Sequence, residues 1–406
     1  MDNRNDEIKA LKIEQENSFI DINFVEEIAA KVTDNLVEWA NETIFKPIGG
    51  CLTLKIETFG EPNARAITYW KKPNNPTIEI RLSMFQEIYR DAFTFPLISK
   101  RIEKETNIIN QFHEAFMSPY DERYMFSTGV PEIPLESRQG VLNIYCQAML
   151  EVFSKNPNEN INANDIACRF VMFEIVVAWV FFHELGHLVQ RHYMLKSNSE
   201  NRLETEIVEI DESGDNLDSD TAAQAREIMA DIEGVNLTLQ YMKRKGILQP
   251  QSMYLLLCGV NCMYQRFYQG YKTNLDITKG NHPHPVIRNE FFNDYFLQWM
   301  VVFLDNNKEQ AAIPLTYLSV RSSLMSGLFW ANRIESFNGE GLPTYMDLSS
   351  ENYQSQKKDY MQAISDELVK MLSIIKDIHI MPSNCIALFE KSLTISSNSR
   401  VRGTGS

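Results

Sequence analysis

The chain has 406 residues, 44% of them hydrophobic and 23% charged, with a formal net charge of −15. Such a composition is that of an ordinary globular protein, long enough for two or three domains or one large one. The acidic balance argues against nucleic acid as the principal partner.

The opening stretch, MDNRNDEIKALKIEQENSF, is polar and acidic and holds no signal-peptide core. Six cysteines, at 51, 146, 168, 258, 262 and 385, show no zinc-finger spacing. They read as reduced thiols, with Cys258 and Cys262 acting as small hydrophobes on an apolar helix face, and a cytoplasmic location is expected. Helical periodicity runs over residues 22–44 and stops before Pro47 and Gly49-Gly50. Three short β-branched or alternating runs follow, at Cys51–Phe59, Ala66–Trp70 and Thr77–Leu82, separated by Gly, Pro and Asn. They predict a small antiparallel sheet, with Thr77–Arg81 as the candidate edge for an extended peptide to pair with.

Residues 84–118 read as helical and Ser118–Pro134 as a loop. Further helices are expected over 137–154, 164–194, 221–245, 250–270, 287–305, 313–337 and 352–377. The fold class is therefore α+β and helix-dominated, with additional helices toward the C-terminus. A tail from Ser396 is low in apolar content and is expected to be disordered. The apolar run Phe170–Phe182 is thirteen residues long and includes Glu174. A spanning helix needs about 20 largely apolar residues, so this run reads as a buried helix and no membrane insertion is expected.

That run leads directly into Val180-Phe181-Phe182-His183-Glu184-Leu185-Gly186-His187-Leu188. Positions i and i+4 of a helix lie on one face, so His183 and His187 can aim both imidazoles at one metal ion. Glu184 sits beside the first ligand, where its carboxylate can take a proton from a water that zinc has acidified. Gly186 lets another backbone approach closely. His192 falls five residues beyond His187, about 140° around a continued helix, and is expected to point away from the metal. His113-Glu114 finds Met117 where a second histidine would be needed, and His379, near a helix end, reads as structural.

Residues 196–224 hold nine acids against Lys196 and Arg202. This tract reads as a solvated insertion between two ligand helices, with a docking strip for a basic substrate as the alternative. It is followed by Ala225-Arg226-Glu227-Ile228-Met229-Ala230-Asp231-Ile232-Glu233-Gly234. Glu227 and Asp231 are four apart and share a helix face. Glu227 can be the third ligand that a zinc peptidase site requires, and Asp231 can reach the free ring nitrogen of a ligating histidine. The competing reading is a solvated acidic face, to which Glu233 would belong. Next comes Asn281-His282-Pro283-His284-Pro285-Val286-Ile287-Arg288, which by its residues alone reads as a proline-rich turn with two exposed histidines.

These three segments together resemble the gluzincins, zinc metallopeptidases with H-E-x-x-H on one helix and a glutamate ligand on a later one. The form E-x-x-A-D and the H-P-x-x-x-x-R element are similar to the CAAX-protease and stress-protease branch. The leaderless helical chain is also similar to the Lit-type phage-exclusion peptidases, which cleave a translation factor. The resemblance implies a zincin-like core that holds Zn2+ on His183, His187 and Glu227. It implies Glu184 as general base, Asp231 as support for His183, and His282, His284 or Arg288 at the oxyanion. Asn281 stands where that branch has threonine, and His284 is an extra histidine, so which of the three faces the site is open. The metzincin pattern is excluded because Tyr193 occupies the position of its third histidine.

The segments divide the chain into an N-terminal helix and sheet (1–135), catalytic helices (136–300), a C-terminal helical region (301–395) and the tail (396–406). A protein or peptide substrate is expected, with a role in phage exclusion or stress response; the oligomeric state is not legible. Two other readings stay open: a non-enzymatic protein on a zincin scaffold, and a zinc hydrolase acting on something other than peptide. An open sheet edge beside the cleft favours a peptidase, and a small closed pocket the last alternative.

Overall fold

A computed structural model describes residues 22–69, 71–106, 133, 140–154, 163–195, 205–207, 221–267, 282–303, 322, 325–326, 354–381, 385–391 and 393. Its elements are α1 (Ile22–Ala40), β1 (Thr53–Glu57), β2 (Ala64–Tyr69), β3 (Lys72–Arg81), α2 (Leu82–Thr106), α3 (Asn143–Ser154), α4 (Ala163–Val189), β4 (Thr205–Ile207), α5 (Thr221–Arg244), α6 (Pro250–Phe267), α7 (Pro285–Phe303) and α8 (Gln354–Ile378). The architecture is α+β and helix-dominated, as the hydrophobic patterning predicts. The expected helix over 313–337 lies largely outside the described residues, as do the loop before Pro134, most of the acidic tract and the tail.

The fold is organised around α4. It packs against α1, α2, α3, α5 and α6 and against β2, so it has neighbours on every side. That explains its sequence, since a helix surrounded by protein has no polar stripe to display. It is also the one described helix long and apolar enough to cross a membrane, and 94% of its apolar window is buried inside the fold. Glu174, the charge within that apolar run, is buried and fully engaged. It accepts N–H groups from Val141 and Leu142 at 3.0 and 3.1 Å and the Tyr241 hydroxyl at 2.6 Å. One carboxylate thereby ties the turn before α3 and the last turn of α5 to the central helix.

Among the described residues the sheet has four strands in the order β1-β3-β2-β4. It is mixed rather than wholly antiparallel: β2 pairs antiparallel with both β3 and β4, but β1 pairs parallel with β3. The candidate edge Thr77–Arg81 is consequently not an edge but the centre of the sheet, flanked by β1 and β2. The central place accounts for burial of residues 76–80 on both faces. Glu79 tolerates it because Arg65, opposite it on β2, and Lys55, opposite it on β1, both reach its carboxylate, at 2.8 and 3.5 Å. The outermost strands are β1 and β4, and β4 comes from the acidic tract between α4 and α5.

All six cysteines are free thiols. Cys258 and Cys262 are buried on α6, and burial pushes the Cys262 thiol well above its ordinary range. They act as small hydrophobes, in agreement with the reading from spacing.

Candidate metal centre

The C-terminal turns of α4 carry His183, Glu184 and His187, and α5 runs antiparallel alongside them. Two glycines make the approach close. A β-carbon on Gly186 would stand 3.1 Å from the Ala230 carbonyl oxygen, and one on Gly234 would stand 3.2 Å from the backbone nitrogen and Cα of His183. Each helix thus offers the other a gap where a side chain would be. That contact brings Glu227 and Asp231 of α5 to the histidines of α4.

Glu227 lies between the two rings. Its Oε2 is 3.5 Å from His183 Nε2, and its Oε1 is 3.6 Å from His187 Nε2. Candidate ligand atoms of His183, His187 and Glu227 all fall within 4.8 Å of one another. Three ligands at tetrahedral bond lengths around zinc lie about 3.4 Å apart, close to the two separations of Glu227 from the histidine rings. All three residues are buried. Charge makes the same point. Glu184, Glu227, Asp231 and Glu233 are all buried carboxylates, and Arg288 is the buried cation the structure places beside Glu227 and Asp231. Buried anions need compensation, and a divalent cation between the histidines supplies it. Burial alone would raise the Glu227 carboxyl. The positive fields of His282 and His187, with hydrogen bonds from His183 and His282, instead hold it well below the usual carboxylate range.

Asp231 does what its spacing from Glu227 suggests. Its Oδ1 lies 2.9 Å from His183 Nδ1, which leaves His183 Nε2 for a metal. Asp231 is held in turn by Arg288, whose Nε and Nη2 donate to its two oxygens at 2.8 and 2.6 Å. Burial disfavours the Arg288 cation, but Asp231 and Glu227 beside it keep its pKa above the ordinary guanidinium value.

The His-Pro segment sorts itself. His282 Nδ1 is 3.4 Å from Glu227 Oε2, and its side chain, 16% exposed, is the most open of the cluster. His284 serves as N-cap of α7: its Nδ1 accepts the Val286 N–H at 3.2 Å, with Pro285 at the first helical position. Its backbone N–H donates to the Tyr360 hydroxyl, which itself donates to Gln224 on α5. Arg288 is directed at Asp231. Of the three residues whose orientation was open, His282 has a ring nitrogen 3.4 Å from Glu227 Oε2, and Arg288 Nη2 lies 3.8 Å from the same oxygen.

The placement of His192 differs from the expectation. His192 does not point away from the metal; its Nδ1 lies 2.7 Å from Nδ1 of His187. The 140° argument assumed a continuing helix, but α4 ends at Val189 and Arg191 adopts φ 52°, ψ 46°. That left-handed residue turns the chain back, and His192 opens a short 3₁₀ turn against the ligand. Glu233, read alternatively as part of a solvated face, is instead buried, and His379, read as structural, lies 3.3 Å from it. Gln190 was not singled out in the sequence at all. Its nearness to His187 in sequence was the available signal, and it sits between His192 and Glu233.

The chain matches no family model, no curated protein and no solved structure. Its class therefore rests on its own geometry: a helix-dominated α+β protein with a buried His-His-Glu cluster able to hold a metal ion. Such a cluster is consistent with metal-dependent enzymatic activity.

Proposed function

We propose that the protein is a zinc-dependent peptidase of gluzincin type that hydrolyses peptide bonds in a protein substrate. The observation that carries this reading is that both histidines present Nε2 to one point beside Glu227, each with its Nδ1 held from behind. His183, His187 and Glu227 hold the ion. Zinc bound there supplies Lewis acidity, polarising a carbonyl oxygen and acidifying water. Glu184, buried in the same helical turn, takes the proton of the attacking water and passes it to the leaving amine. His282, the most open member of the cluster, stabilises the developing oxyanion. Asp231 orients His183, and Arg288 holds Asp231.

What supports a peptide substrate is the sheet. Among the described residues β4 is an outer strand, and it packs against the His192–Met194 turn immediately beyond His187. An extended peptide pairing there would lie beside the ligands.

Metal analysis of the purified protein is expected to find about one zinc per chain. Glu184→Gln should retain that zinc and abolish cleavage. Proteome-wide comparison of cleavage products in cells expressing wild type or Glu184→Gln identifies the substrate; identical product sets from the two would sink the peptidase reading.

A further inference from the structure

For His187 to bind a metal through Nε2, its ring proton must sit on Nδ1, and that proton needs an acceptor. Nδ1 of His192, 2.7 Å away, is that acceptor. An imidazole that accepts at Nδ1 carries its own proton on Nε2. Nε2 of His192 lies 2.7 Å from Oε1 of Gln190, an atom that can only accept. The amide is oriented the same way at its other end, where Gln190 Nε2 donates to the Met229 carbonyl at 3.1 Å and to Glu233 Oε2 at 3.3 Å. Glu233 receives a further hydrogen bond from His379 Nε2 at 3.3 Å, and His379 Nδ1 accepts the Met381 N–H at 3.1 Å. Fixing one proton at His187 thus fixes the donors and acceptors of His192 and Gln190 as far as Glu233, which accepts from Gln190 on one side and from His379 on the other. No link in the chain requires a group to act against its chemistry.

The backbone supports this reading independently. Arg191 is the one non-glycine residue with positive φ among the described residues. A left-handed conformation strains an L-residue, and such strain persists where surrounding contacts over-determine it. Here the strained residue is the one that returns His192 to His187.

We propose that His192 is a positioning residue of the metal centre. It holds His187 in the Nδ1–H tautomer with Nε2 toward the ion, while Gln190, anchored on Glu233, holds the tautomer of His192. The proposal rests on the His183, His187 and Glu227 metal reading. It makes the two ligands unequal: His183 leans on a carboxylate, His187 on a neutral imidazole backed by an amide. A carboxylate partner raises ligand basicity, so His183 is the stronger donor of the pair.

The test uses the full chain and zinc alone, read by competition with a chromogenic chelator and by the visible spectrum of the Co2+-loaded protein. Loss of an outer hydrogen-bond partner lowers metal affinity by roughly 10–100-fold. His192→Phe, which keeps the ring and removes the acceptor, should show a loss of that size together with a shifted cobalt band. His192→Asn, whose Oδ1 can occupy the place of Nδ1, should recover most of the affinity. A Phe variant that binds zinc as tightly as wild type, with an unchanged cobalt spectrum, would overturn the role. Should the Phe variant not fold, long-range ¹H–¹⁵N spectra of histidine-labelled wild type decide. A zinc-loaded protein with His192 protonated on Nε2 alone supports the proposal, and any other tautomer refutes it. Absence of zinc binding by wild type itself would instead remove the metal reading on which the proposal stands.

Discussion

Gly234 on α5 lies directly against His183 on α4: a β-carbon on the glycine would stand 3.2 Å from both the backbone nitrogen and the Cα of the histidine. Those contacts are backbone, which cannot swing aside as a flexible side chain can. Gly234→Ala should therefore push the two ligand helices apart by a few tenths of an ångström. Alanine also gains about 1 kcal/mol over glycine in a helix interior, offsetting part of an overpacking cost of 1–3 kcal/mol. The expected result is a small net destabilisation with a clear loss of zinc affinity. Urea denaturation with and without zinc separates the two; equal zinc affinity in the variant would mean the helix spacing is not critical.

Asp231 has two obligations, to His183 at 2.9 Å and to Arg288 through two hydrogen bonds. Asp231→Ala should leave the Arg288 cation buried without its main counter-ion, at a cost of about 3–5 kcal/mol. It should also reduce zinc affinity roughly 10–100-fold by releasing the His183 ring. Arg288→Met should destabilise the fold but affect zinc less, because Asp231 still reaches His183. If both variants lose zinc equally, Arg288 contributes to the site beyond its hold on Asp231. Denaturation of the two single variants and the double variant measures the coupling.

The parts of this architecture that could be read from sequence are those set by local geometry. His183, Glu184 and His187 share one turn, and Glu227 and Asp231 share one face, so helical spacing alone brings each group together. Their convergence needed Gly186 and Gly234, of which only the first was recognised as a point of approach. The sheet was harder. The place of Thr77–Arg81 at the centre depends on β1 pairing parallel and on β4 entering from the acidic tract, neither of which a strand's own residues encode. His192 was misplaced because a non-glycine residue, Arg191, ends the helix in a left-handed turn with no sequence signal. Tyr360 and His379 belong to α8 and its end, 136 and 146 residues from Gln224 and Glu233, beyond any local pattern.

Glu174 supplies a third prediction, away from the metal. Hydrogen bonds to a charged group contribute about 1.5–3 kcal/mol each, and this carboxylate accepts three, from Val141, Leu142 and Tyr241. Glu174→Ala should cost roughly 3 kcal/mol or more, since it strands buried donors as well as removing the acceptor. Gly140→Ala should be harmful for the same reason, because its β-carbon would lie 2.5 Å from Glu174 Oε2. Zinc stoichiometry of whatever fraction folds should stay at the wild-type value. Thermal unfolding checks the first claim and metal analysis the second.

Tyr241 adds a signature in pH. Its hydroxyl is buried and donates to Glu174 at 2.6 Å. Burial, and then the negative charge of Glu174, push the phenol far above its ordinary value of 10.0. The native state therefore keeps this proton at pH values where the unfolded chain gives it up. Below about pH 10 both states are protonated and the stabilisation from Tyr241 is complete. Above that, the unfolded state binds fewer protons, and stability falls as pH rises by up to about 1.4 kcal/mol per unit for this one group. Tyr241→Phe lacks the group, so its stability should be lower at pH 8 but decline less steeply in alkali. Other tyrosines and lysines titrate in both proteins and cancel in the difference. Urea denaturation of both proteins from pH 8 to 11.5 should show the wild-type advantage constant up to about pH 10 and shrinking beyond it. An advantage that stays constant over the whole range would mean that the Tyr241 phenol ionises as readily in the folded protein as in the unfolded chain.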